Sequence, residues 1–195
     1  MKIGALALQG DFREHLSMLR DLGVEAVEVR TPDELAEVDA LVIPGGESTT
    51  IGKLADIYGL IEPIRARAED GMPILGTCAG MIFLAAAVTD GEQPQLGLLD
   101  VVVERNAFGR QVDSFEADLE VEGRSDPVRA VFIRAPWIHK AGADVEILAT
   151  VIDPQHDEPR PVVVRQGNIL ATSFHPELIG ETWIHELLIG LVAGS

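Results

Sequence analysis

The sequence predicts a single-domain α/β fold over residues 1–195: a doubly wound, mostly parallel sheet with helices on both faces, to which the second half adds antiparallel strands. Three observations predict it. Short apolar runs alternate with amphipathic helical stretches through the first 44 residues. Strand-like runs with little helix between them fill the second half. A chain of 195 residues with 47% apolar content can bury one sizeable core without disulfides or a structural metal.

The apolar runs at Lys2–Leu8, Val24–Val29 and Asp39–Pro44 read as buried strands. Between the first two, Phe12, Leu16, Leu19 and Leu22 fall on one helical face that ends at Gly23. Between the second and third, Thr31 and Glu34 have capping-box spacing, with Pro32 at the first helical position. Short links in this alternation imply right-handed crossovers and parallel pairing. After "PGGESTT" the pattern predicts a helix to about Tyr58, a second over Pro63–Asp70, and a strand, "PILG", that feeds Cys78. Then come six strand-like runs: "LLDVVVERN", "SFEADLEV", "VRAVFIRA", "VEILATVI", "PVVVRQG" and "NILATSF". Asp153–Pro161 reads as an exposed turn, and a helix over about Glu181–Val192 closes the chain.

The charge balance excludes some functions. With 32 acidic and 15 basic residues, only three of them lysines (Lys2, Lys53 and Lys140), the formal net charge is −17. Such a chain repels nucleic acid and anionic membranes, and neither is expected as a partner. The excess acidity also fits a salty cytoplasm, where screening suppresses self-repulsion. The start "MKIGALALQG" lacks a signal-peptide pattern and no segment approaches 18 uninterrupted apolar residues, so a cytoplasmic location is expected.

Cys78 is the only cysteine. A disulfide framework and a cysteine-rich zinc site are thereby excluded, and no metal or cofactor is expected. Gly76-Thr77-Cys78-Ala79-Gly80 has the G-x-nucleophile-x-G form of a nucleophile elbow, a sharp strand-to-helix turn that exposes the central side chain at the carboxyl end of a sheet. By itself this leaves a buried structural cysteine as open as a reactive one. A nucleophilic thiol needs a base, and His175 in "ATSFHPEL" directly follows an apolar strand. Pro176 favours an extended His175, which would send Glu177 to the same side, where a carboxylate can orient the ring. His15 and His185 lie in predicted helices and His156 in a loop, all better read as packed or solvated; His139 is an outside candidate. The N–H of Ala79 supplies one oxyanion donor, and "PGGES", at another strand end, offers a second at Gly46.

"PGGEST", "GTCAGMI" and "SFHPE", in this order, resemble the class I (triad) glutamine amidotransferases. "LALQGDFREH", "VVVERNAFGRQVDSFEADL" and "VFIRAP" narrow the resemblance to the glutaminase subunits of pyridoxal 5'-phosphate synthases. It covers essentially the whole chain, and no motif position departs from the pattern. It implies that Cys78 attacks the side-chain amide of glutamine, with His175 as base and acid and Glu177 orienting it. It further implies that Gly46, Glu47, Ser48, Arg105, Ile133 and Arg134 bind L-glutamine, and that ammonia passes to a separate synthase subunit in a hetero-oligomer. Arginines in so acidic a chain are natural carboxylate partners.

The nearest rival reading is the glutaminase of another amidotransferase, such as imidazole glycerol phosphate synthase, against which "RNAFGRQ" argues. A non-catalytic regulatory module of the same fold would be expected to lack a triad member, and a thiol stress-response protein would not need the HPE segment.

Overall fold

The computed structural model describes residues 1–105, 114–121, 124–152 and 157–194. Most of "RNAFGRQ", His156 and the first half of the predicted Asp153–Pro161 turn lie outside the described residues.

The first half follows the predicted alternation: β1 (Lys2–Leu6), α1 (Phe12–Asp21), β2 (Glu25–Val29), α2 (Pro32–Ala36), β3 (Ala40–Ile43), α3 (Ser48–Ile57), α4 (Ile61–Glu69) and β4 (Ile74–Thr77). At α2 the capping box forms: Glu34 N–H donates to Thr31 Oγ1 at 3.3 Å and Thr31 N–H to the Glu34 carboxylate at 3.0 Å. A six-residue helix, α5 (Ala79–Leu84), then runs straight into β5 (Ala85–Val88). Next come β6 (Leu99–Glu104), β7 (Ser114–Leu119), β8 (Val128–Ile133), β9 (Trp137–Ala141), β10 (Glu146–Ile152), β11 (Pro159–Gln166) and β12 (Ile169–Thr172). A 3₁₀ turn at Pro176–Leu178 and α6 (Trp183–Ala193) follow.

Seven strands form the main sheet, in the order β10-β11-β12-β4-β3-β1-β2. The five from β12 to β2 are parallel; β11 and β10 extend it antiparallel at one edge. The remaining strands do not join it. Strands β5, β6 and β9 make a three-stranded sheet, and β7 with β8 a two-stranded one. Two of these strands were not foreseen: β5 lay hidden in the helix-forming "AAAV", and β9 in a segment with no strand signature.

Period-two alternation sorts the core onto both sheet faces. Leu41, Ile43, Ile74 and Ala171 pack with α2–α5 and the three-stranded sheet. Their neighbours Ala40, Val42, Leu75 and Leu170 pack on the other face with α1, α6 and the β7–β8 ribbon. The carboxyl ends of β1, β3, β4 and β12 therefore lie side by side at one edge, where the links after each strand converge.

Candidate active site

Cys78 follows β4 directly and adopts φ 49°, ψ −104°, a conformation that L-residues with a side chain rarely take. Its N–H donates to Thr172 O at 2.8 Å, tying the elbow to β12. The flanking glycines are required sterically. A Cβ on Gly76 would lie 2.7 Å from the Gly80 carbonyl carbon, and one on Gly80 would lie 2.1 Å from Ile43 O. Holding the turn costs about 1–3 kcal/mol of backbone strain, a cost typical of functional sites.

His175 emerges three residues beyond β12, and its N–H donates to Val131 O at 3.1 Å, clipping it to β8. Its Nδ1 is 2.7 Å from Glu177 Oε1. The expected geometry needs one correction. Residues 176–178 are not extended but form the 3₁₀ turn, which curls the buried Glu177 back beneath the ring. Cys78 is a further favourable partner for its charge. Burial disfavours the charged form, yet the interactions with Cys78 and Glu177 outweigh this and raise it to about 10. Asp11 adds a carboxylate oxygen 3.7 Å from Nδ1. The ring is packed so closely against the "PGG" loop that a Cβ on Gly45 would lie 2.3 Å from His175 Cε1.

Cys78, Ala79 and His175 open into a cleft of about 470 Å³. Gly46, Glu47 and Ser48 form one wall, and Arg105, Ile133 and Arg134 another. All the residues that the family resemblance assigned to the site, except the buried Glu177, thus line one cavity. Gly46 has φ 152°, and its loop is tied to the β1–α1 turn: Asp11 N–H donates to Gly45 O at 3.1 Å, and Glu47 N–H to Gln9 Oε1 at 2.7 Å. The Glu47 carboxylate caps α3, accepting from Thr49 and Thr50 N–H. These bonds, that from the Thr50 hydroxyl foremost, hold it below the usual carboxylate range. Its side chain is therefore committed to the helix. The cleft also contains Asp11, Ile82 and Leu178, which the sequence reading missed.

Behind the cleft, Gln93 Oε1 accepts from Ser48 Oγ at 3.1 Å, Thr49 Oγ1 at 3.3 Å and Arg105 Nη1 at 3.0 Å. Gln93 lies in the β5–β6 link, and nothing in its local sequence signals this. His15 and His185 were expected to be packed or solvated; both are fully buried, His15 Nδ1 lying 2.8 Å from His185 Nε2. Here a signal existed, because His15 shares the apolar helical face of Phe12, Leu16 and Leu19. His139 is exposed on β9, away from the cleft.

The arrangement can perform acyl transfer: a thiol at an elbow, an imidazole sharing its cleft, a carboxylate hydrogen-bonded to that imidazole, and backbone N–H groups at two strand ends. The model of the SNO glutamine amidotransferase family matches residues 5–193. The chain belongs to this family. Among relatives of this SNO-family chain, the pyridoxal 5'-phosphate synthase subunit PdxT of Frankia alni is 57% identical, covering 100% of this chain and 96% of the relative. The subunit of the same name from Parafrankia sp. is 59% identical, covering 98% and 93%. A crystal structure of a glutamine amidotransferase superposes with a TM-score of 0.91 at 52% identity, covering 98% of both chains.

Proposed function

We propose that the chain is the glutaminase subunit of a pyridoxal 5'-phosphate synthase, hydrolysing L-glutamine to L-glutamate and ammonia and passing the ammonia to a separate synthase subunit. The observation that carries this is the single cleft in which Cys78 and His175 meet Arg105, Ile133, Arg134 and the Gly46–Ser48 wall.

Cys78 passes its thiol proton to His175, and its Sγ attacks the side-chain amide carbon of glutamine. The developing oxyanion is met by the N–H groups of Ala79 and Gly46. His175, held in its charged form at neutral pH by Cys78 and Glu177, gives a proton to the leaving nitrogen. Ammonia departs and leaves a thioester. Water then attacks the thioester with the now neutral His175 as base; as the second oxyanion collapses and the C–S bond breaks, His175 gives the proton it took to Sγ, releasing glutamate and the thiol. Glu177 holds the ring throughout. Arg105 and Arg134 stand where a substrate carboxylate can be fixed by charge-assisted bonds.

Ammonia freed into neutral water is mostly protonated and loses its nucleophilicity, so a glutaminase gains by working only when an acceptor is docked. The PGG loop and the "LQGDFREH" segment, joined through Gln9 and Asp11, form a surface through which docking can reach the oxyanion site. The test is glutamate release by the purified chain with and without its cognate synthase subunit. We expect release to depend on that subunit; equal rates would refute partner activation, and no release in either would refute the function.

A further inference from the structure

Glu177 presents its second carboxylate oxygen to a buried pair of histidines that the reaction does not itself require. Its side chain is fully buried; Oε1 serves His175, while Oε2 has no hydrogen-bond partner among the described residues. His15 Nε2, on α1, lies 3.5 Å from that oxygen and 3.1 Å from Thr77 Oγ1. On its far side His15 Nδ1 faces His185 Nε2 of α6 at 2.8 Å, and His185 Nδ1 has no partner.

Two tautomer chains satisfy the contact between the histidines, and they differ in cost. If His15 carries its proton on Nδ1, it donates to His185 Nε2. The His185 proton is then on Nδ1, a buried N–H without an acceptor, and a lone pair of His15 faces the carboxylate. If His15 carries its proton on Nε2, the N–H points at Thr77 Oγ1 and Glu177 Oε2. His185 Nε2–H then donates to His15 Nδ1, and only a lone pair is left unpartnered. The second chain avoids both an orphaned buried donor and a repulsive contact. Both rings stay neutral, since burial holds His185 down to about 4 and His15 well below its usual value.

Building on the glutaminase reading above, we infer that His15 is a positioning residue for the triad. Its Nε2–H holds the otherwise unpartnered oxygen of Glu177 in the ionised, His175-facing orientation, and His185 fixes the tautomer that makes this possible. At 3.5 Å the contact is longer than that from the same nitrogen to Thr77 Oγ1 at 3.1 Å, so the N–H is shared between the two oxygens. Asp11 in the β1–α1 turn and His175 are other titratable groups whose polar atoms lie within 4.8 Å of the Glu177 carboxylate, and the test leaves both in place.

The first arm needs no activity. Histidine ¹⁵N spectra of the isolated chain report the tautomer of each ring, and His15 should be neutral with its proton on Nε2 between pH 6 and 8. A proton on Nδ1, or a charged ring, overturns the inference. The second arm measures glutaminase activity in the complex with the synthase subunit. His15→Leu should lower kcat on the order of 10-fold with little change in KM for glutamine, because the carboxylate that holds His175 loses its second partner. His15→Gln, which keeps an N–H, should restore part of the lost kcat. An unchanged kcat in His15→Leu, or a Gln variant no better than Leu, overturns it. A complex that hydrolyses no glutamine refutes the glutaminase reading, while the spectra still decide the tautomer.

Discussion

At the scale of single residues, the site places opposite demands on its histidines. Burial works against the charge of all three, but at His175 the partners Cys78 and Glu177 outweigh it and raise it to about 10, whereas burial lowers His15 and His185, and the neighbouring histidines lower His15 further. In the folded state His185 titrates near pH 4 instead of 6.5, so between these values the unfolded chain binds more protons than the folded one. Stability should therefore fall as pH drops from about 6.5 towards 4. Thermal midpoints measured across that window check it, and His185→Phe should flatten the slope. For the reaction, Cys78→Ala should abolish glutamine hydrolysis but leave glutamine binding measurable, because the Gly46–Ser48 wall and the arginines remain. His175→Asn should lose nearly as much and Glu177→Gln less, with losses on the order of 10³ to 10⁶ that do not add. Glutamate release in the complex, beside calorimetric titration with glutamine, separates turnover from binding. Retained turnover in Cys78→Ala or His175→Asn would sink the mechanism.

At the scale of elements, the links after strands do the chemistry, and they differ in how openly the sequence announces them. The elbow was legible because glycine at positions 76 and 80 is a steric requirement, and steric requirements leave sequence marks. Strands β1, β3 and β4 were legible because buried parallel strands are almost wholly apolar, whereas β2, at the sheet edge with Glu25 and Glu28, was legible from its apolar Ala26, Val27 and Val29. Strand β5 was not, since "AAAV" reads as helix, and only pairing with β6 makes it a strand. The 3₁₀ turn at Pro176–Leu178 was missed because proline restrains the residue before it without deciding how the chain continues. Gln93 was illegible for a third reason: its bonds join three segments distant in sequence, and its neighbours hold no trace of them. This clasp predicts a split. Arg105→Ala should raise KM for glutamine by a factor reflecting about 1.5–3 kcal/mol, one charge-assisted contact, with little change in thermal midpoint. Gln93→Leu should raise KM in the same direction by less, because it frees Arg105 and Ser48 without removing them. An unchanged KM in Arg105→Ala would remove that residue from the substrate wall.

At the scale of the whole molecule, charge rather than packing sets the response to solvent. The two faces of the main sheet carry separate apolar clusters, so the interior is insensitive to salt at the level of individual charges. The surface is not. Several of the few cations are already engaged, Arg65 with Glu62, Arg129 with Glu116 and Asp118, and Arg160 with Glu158, mostly in exposed pairs. Exposed pairs contribute about 0–1 kcal/mol each and weaken with salt. Against them stands the self-repulsion of a chain with 32 acidic and 15 basic residues, which salt relieves. With acids outnumbering bases two to one, repulsion wins, and adding sodium chloride should stabilise the fold. The form of the response distinguishes screening from a general salt effect. Screening acts mostly below about 0.5 M, where the Debye length is already shorter than typical spacings between surface charges, whereas exclusion of salt from the surface keeps growing with concentration. The unfolding midpoint of the isolated chain should therefore climb steeply from low salt to a few tenths molar and then level. A flat profile would show that the acidity carries no cost at low salt, and the inference of a salty working environment would fall with it.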